Sequence, residues 1–212
     1  MMNVLLWKSI LFFIFLNLYS YICAFDSRIS MMAGGPIRAD KIPKLLKLIA
    51  DSNRGALTDI SSRSEIINMI KNIEEEQSGF VSRDSEFVKK CNGKWSLLWT
   101  TEKETLYFQK SGLFGSPVTE ICQTIDTRQG QVINTIQFKN NREFTVYGTL
   151  SLDKIDKTKF DFKFSKANLV IPPLINFNIP PIGQGWFKNV YCNAEYRLSR
   201  DIRGDYLISK RL

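Results

Sequence analysis

The chain has 212 residues and carries 29 Lys and Arg against 21 Asp and Glu, for a formal net charge of +8; it contains no histidine. That length suits one ordinary domain plus extra sequence at one end. Without histidine there are no Ser-His or Cys-His nucleophile pairs and no histidine-ligated metal centres; carboxylate or Lys chemistry remains open, and no catalytic residue, metal or cofactor is assigned.

The first stretch, "MMNVLLWKSILFFIFLNLYSYICAFDSR", has one charge, Lys8, before Asp26, and an apolar run from Ile10 to Leu16. It reads as a signal peptide over residues 1–24 with Ala24 at the cleavage point. The run is short for a bilayer span, which needs about 20 residues, so the competing reading as an anchor is disfavoured. Residues 25–40 are rich in small and basic side chains, the composition of a transit peptide. A signal peptide, then Ala24-Phe25, then a transit-like stretch resembles the bipartite leader of proteins sent to a complex plastid.

Residues 41–212 form the expected domain. Lys41–Gln77 has helical periodicity. Leu45, Leu46, Leu48 and Ile49 make one stripe, which Asn53 and Gly55 end. Ser62 with Glu65 forms a candidate capping box for a second helix, whose buried side is Ile66, Ile67, Ile70 and Ile73.

From Cys91 onward the period changes to two. "GKWSLLWTT" places Trp95, Leu97 and Trp99 on one side, and "TLYF" is expected to be a strand carrying Leu106 and Phe108. "SPVTEICQTID", "VINTIQF" (ending at Phe138) and "REFTVYGTLSL" (with Phe144) follow. "KFDFKFS" alternates most cleanly, with Phe160, Phe162 and Phe164 facing one way and Lys159, Asp161 and Lys163 the other. Asn168–Phe187 is apolar but holds two Pro pairs, and is expected to be a loop that caps the barrel mouth or touches a membrane. Two last strands, Asn189–Ser199 and Arg203–Lys210, are expected to close the sheet against its first strands around the turn "RDIRGD".

With short turns and no crossover helices, the fold class is mainly β, an antiparallel sheet of about eight strands that curls and closes to remove its edges. The aromatic inner stripe either fills the interior or lines a cavity for a small lipophile. Of the four cysteines, Cys23 lies in the leader, and Cys91, Cys122 and Cys192 fit no metal or redox spacing.

Four segments, "LLKLIADSNRG", "NGKWSLLWTT", "VINTIQF" and "GQGWFKNVYCNAEYRLSRDIRGDYLISKR", stand in the order that resembles the plastid lipid-associated protein (PAP)/fibrillin family. The similarity covers roughly Lys41 to Arg211. It implies a lipocalin-like barrel behind two N-terminal helices, residence in the plastid at thylakoids, plastoglobules or in the stroma, and binding of lipids, carotenoids or quinones without catalysis. Trp186, Glu195, Arg197 and Arg200 resemble family signature residues. Glu195, Arg197 and Arg200 are assigned to barrel closure. Ligand contact is assigned to Trp95, Trp99, Phe138, Phe144, Phe160, Phe162, Phe164 and Trp186.

The expected partners are thus a lipophilic small molecule and a plastid membrane surface. The alternative is a structural or assembly subunit docked on a photosynthetic membrane complex such as a photosystem. Nucleic acid is not expected, because the basic residues are scattered and not interleaved with exposed aromatics. An enzyme would need acid/base groups inside the cavity, and Glu143 and Asp161 both fall on the outer face of this register.

Overall fold

The computed structural model describes residues 41–81, 86–173, 175–180 and 183–212. The expected signal and transit segments lie outside these residues. Among the described residues the helices are α1 (Lys41–Ile49), α2 (Ile60–Val81), α3 (Phe87–Cys91) and α4 (Lys103–Ser111). Nine strands are β1 (Gly93–Thr100), β2 (Val118–Asp126), β3 (Gln131–Phe138), β4 (Arg142–Leu152), β5 (Lys159–Ile171), β6 (Ile175–Ile179), β7 (Gln184–Cys192), β8 (Tyr196–Asp201) and β9 (Tyr206–Arg211). All pairings between these strands are antiparallel.

The sheet closes into an eight-stranded barrel in the order β1, β2, β3, β4, β5, β7, β8, β9 and back to β1. The join is the one expected: Trp95 stands opposite Arg211, and Leu97 opposite Ser209. β6 is a flap outside the ring, paired with the second half of β5. The barrel is lipocalin-like, as the resemblance implies.

Alternation is broken at four bulges, where one strand gains a residue and its side chains change face. In β1 the shift falls between Leu97 and Trp99. Trp95 and Leu97 therefore point inward, while Trp99 points outward and packs against the helices. The expectation that all three share a face fails because strict period two cannot anticipate an inserted residue. A second shift in β5, where Gly148 of β4 pairs with Phe164 and Tyr147 with Lys166, keeps Phe164 and Ala167 both inward.

The helices divide into a cover and two end pieces. Leu45 and Ile49 of α1, with Ile66, Ile70 and Ile73 of α2, recur every three or four residues and are buried. They lie on Trp99, Val190, Leu198, Tyr206 and Ile208, the outward side of the closing strands. The cap of α2 is Asp59, not Ser62. The Asp59 carboxylate accepts the Ser62 amide at 2.9 Å and the Ser62 hydroxyl at 2.6 Å, and these bonds hold its pKa below the ordinary aspartate value. The turn before it needs Gly55, at φ +98°, because a Cβ there would stand 2.4 Å from the Thr100 carbonyl oxygen.

α3 plugs one end of the barrel. Its Phe87 and Cys91 pack on Trp95, Ile125, Val132, Leu150, Phe160, Phe187 and Cys192. α4 lies at the other end and places Phe108 against Phe138 and Phe144. "TLYF" is thus helical rather than a strand. Its buried residues Glu104, Leu106 and Phe108 are two apart, and a pattern that short is equally consistent with one helical turn across a barrel end.

Two further expectations change. Asn189–Ser199 is not one strand but the end of β7, a turn at Asn193–Glu195, and β8; the Asn193 carboxamide oxygen accepts the amides of Glu195 and Tyr196 at 2.8 and 2.6 Å. The proline-rich stretch is not wholly a loop. Pro172, Pro173 and Pro180 fall just outside β6, which among the described residues pairs with β5 alone, and so deprive that ladder of no donors.

Candidate functional site

A cavity of about 820 Å³ occupies the barrel interior between plug and mouth. Its wall is mostly apolar, with Trp95, Leu97, Ile121, Ile136, Phe144, Val146, Phe162, Phe164 and Leu207 among the lining residues. The mouth is framed by Glu102, Glu104 and Thr105 at the start of α4, by the β8–β9 turn at Asp201–Arg203, and by Gly183–Trp186.

The structure sorts the predicted contacts into four groups. Trp95, Phe144, Phe162 and Phe164 line the cavity; the Phe162 and Phe164 rings are 4.9 Å apart. Phe160 and Phe138 are buried but packed away from it. Phe160 stacks on Phe187 at 5.5 Å within the plug, and Phe138 lies beside Phe108 of α4 at 5.9 Å. Trp99 leaves the interior altogether, and its indole donates to the Thr58 hydroxyl at 3.0 Å. Trp186 reaches the rim, but it neighbours Phe187 on the strand and so faces outward. Lys159 and Arg200 stand 5.5 and 5.6 Å from its ring centre.

The three residues assigned to closure also separate. Glu195 sits in the β7–β8 turn, 3.7 Å from Lys210, while its carbonyl accepts the Arg211 amide at 2.8 Å. Arg200 is on the outer face and pairs with Glu74 of α2 at 3.1 Å, fastening the helical cover to the barrel. Arg197 points inward, lines the cavity and is 1% exposed. Its guanidinium lies 5.5 Å from the Trp95 ring centre and 5.8 Å from that of Phe187. It donates to the Asn189 carboxamide oxygen at 3.1 Å and to that of Gln123 at 2.6 Å.

The plug is tied down by Arg211. It donates to the carbonyls of Lys90 and Asn92 at the end of α3 and to that of Ala194. Its guanidinium stacks 4.1 Å above the Trp95 ring, whose Nε1 donates to the Cys91 carbonyl at 2.9 Å. Cys91, Cys122 and Cys192 are free thiols and buried. The proximity of the Cys91 and Cys192 thiols, with burial, pushes Cys91 up, while the neighbouring thiol and the nearby Arg197 pull Cys192 down.

The mouth carries charges that the sequence reading did not assign. Arg203 lies 2.8 Å from Glu104, 3.0 Å from Asp201 and 3.7 Å from both Glu102 and Asp205. Four carboxylates therefore share one guanidinium. Burial opposes the Arg203 charge, yet Asp201, Glu104 and Glu102 raise its pKa above the ordinary arginine value. Burial pushes Glu102 up to about 7 against the pull of Arg203, and also raises Asp205. The signal was present as "RDIRGD" and "TEKET", but nothing in the sequence brings those two turns together.

The comparisons agree with this architecture. The PAP_fibrillin family model matches residues 39–210. A probable plastid-lipid-associated protein 11 of Arabidopsis thaliana, chloroplastic, is 35% identical over 195 residues, covering 88% of this chain and 85% of that protein. A chromoplast-specific carotenoid-associated protein of Cucumis sativus is 32% identical over 151 residues, covering 69% of this chain and 46% of that relative. No solved structure matches the chain. Matched from end to end of its barrel and helical cover, the chain belongs to the PAP/fibrillin family of plastid lipid-associated proteins.

Proposed function

We propose that this protein holds one lipophilic molecule, of the lipid, carotenoid or quinone class, inside the barrel while attached peripherally to a thylakoid or plastoglobule surface. The observation that carries the reading is the cavity itself. Its 820 Å³ falls within the range of single-ligand pockets, about 300–1,000 Å³, and its wall is chiefly aliphatic and aromatic. The name of the cucumber relative, a carotenoid-associated protein, fits the same ligand class.

Membrane contact is supported by a group of exposed apolar side chains at one end, although others such as Ile155 and Leu212 are exposed elsewhere. Phe177 on β6, Phe114 after α4 and Ile202 in the β8–β9 turn are 49%, 44% and 37% exposed, and all three stand at the mouth end. A lipophile could pass from bilayer to cavity there without crossing much water.

Native mass spectrometry of the protein purified from its own plastids tests the ligand. One bound species, released by organic solvent, is expected. Ile136→Trp, which projects a large side chain into the cavity, should abolish retention while leaving the fold intact. An empty native protein, or undiminished retention in that variant, would overturn the reading. Sedimentation with vesicles of plastid galactolipids tests the surface, and Phe114→Ser with Phe177→Ser should reduce it.

A further inference from the structure

At the deep end of the cavity Arg197 lines the wall with Asn189 bonded to it, and the pair leaves two polar donors without acceptors. The Arg197 Nε–H and the Asn189 side-chain N–H are both buried and unpartnered. Arg197 is 1% exposed and Asn189 is fully buried. The two side chains are joined by the bond from Arg197 Nη1 to Asn189 Oδ1, so the orphan donors belong to one cluster.

Arg197 also lacks a counter-charge. Among the described residues it makes no ion pair; it touches two carboxamides, two ring faces and the neighbourhood of the Cys91 and Cys192 thiols. A guanidinium does not discharge at ordinary pH. A buried charge without a partner costs several kcal/mol in general, and ring faces soften that cost without neutralising it. Burial is the main effect on its own titration and lowers its pKa.

The mouth has the opposite character. Glu102, Glu104, Asp201 and Asp205 outnumber Arg203 there. An anionic head group would be repelled at the mouth and held at the plug. Between the two ends the wall is apolar, as an acyl or prenyl chain requires.

We propose that the ligand of this barrel is a long-chain carboxylic acid bound head-inward, its carboxylate on Arg197, which Asn189 holds in place, and its tail pointing to the mouth. The proposal rests on the reading that the cavity holds a lipophile. It adds a head-group class and an orientation, and it reassigns Arg197 from closing the barrel to recognising the ligand.

Delipidated protein is titrated calorimetrically with oleic acid, methyl oleate and oleyl alcohol. Oleic acid should bind at least about tenfold more tightly than its ester, because a charge-assisted hydrogen bond is lost in the ester. Arg197→Met should remove that preference while keeping methyl oleate binding, and Arg197→Lys should restore part of it. Arg197→Met also removes the donors to Asn189 and Gln123, so its melting transition is recorded first to confirm that it is folded. Equal binding of acid and ester by wild type would overturn the head-group assignment and leave the cavity reading standing; that comparison needs no variant. Retained preference in the folded Arg197→Met protein would equally overturn it. If none of the three compounds binds, the cavity reading falls and this one falls with it.

Discussion

At the plugged end of the barrel, Trp95 and Phe160 are fully buried, α3 fills the bore, and Arg211 ties the helix to the sheet through three carbonyls. At the mouth, the bore is bordered by largely buried charges around Arg203, and Phe114, Phe177 and Ile202 face outward. The plugged end packs Trp95 and Phe160, whereas the mouth packs Phe108 and Phe138 but leaves Phe114 and Phe177 in contact with solvent. The contrast separates stability from access. Substitutions at the plug should change folding, and those at the mouth should change charge and surface contact.

The largest expected effect is at the plug. Trp95→Ala removes a fully buried ring, its bond to the Cys91 carbonyl and the platform under Arg211. It should cost about 3–5 kcal/mol in urea unfolding. A loss below about 1 kcal/mol would show that the plug is not the stabilising end.

Next comes the mouth cluster. Arg203→Gln leaves four carboxylates without their shared cation. A cost of about 1–3 kcal/mol is expected near neutral pH, reduced because the site is partly open to water. The cost should shrink on acidification as the carboxylates take up protons. Thermal melts of both proteins across pH 4 to 8 measure it, and a pH-independent difference would break the electrostatic reading.

A smaller effect sharpens the same point. Glu102 has a folded-state pKa of about 7 against an ordinary value of 4.5. The folded protein therefore holds a proton that the unfolded chain has released between those values. Stability attributable to Glu102 falls as pH rises from 4.5 to 7 and is level above. Glu102→Gln should remove that slope, so that the variant melts above wild type at pH 8 and together with it near pH 4. A variant that melts below wild type at pH 8 would show that the contact with Arg203 outweighs the burial of the charge.

The smallest effect is expected on the flap. Phe177→Ser removes a ring that is half exposed and should change unfolding by less than about 0.5 kcal/mol. A larger loss would mean that β6 contributes to the barrel core rather than to its surface.

The sequence conveyed the architecture better than its parts. The number of barrel strands came out right although its members changed. "TLYF" left the ring to become part of α4, while Asn189–Ser199 divided into parts of β7 and β8. Both changes arise where an apolar pattern is too short, or a turn too subtle, for periodicity to resolve. "KFDFKFS" was legible because its long, strict alternation fits only a strand with one buried face. Even there, Phe160 belongs to the plug while Phe162 and Phe164 line the cavity. Position along the bore is a tertiary quantity that alternation does not carry.

Arg197 shows the same limit most clearly. Its place in the closing segment was readable, and so was a role near the join. That it turns inward depends on the pairing of β8 with β7, where a bulge between Asn189 and Tyr191 sets which residues share a face. Its neighbours Gln123 and Asn189 are 74 and 8 residues away along the chain.

The amino-acid order alone determined an antiparallel sheet, two amphipathic helices before it and its closure by the last strand on the first. Those features follow from hydrophobic period and from the cost of unpaired edges, both of which are local or summed over long stretches. Tertiary structure decided which aromatics fill the bore, where the cavity lies, and how carboxylates and guanidinium groups divide between its two ends. Those depend on bulges and on contacts between residues distant along the chain, where a shift of one position moves a side chain from the core to the surface.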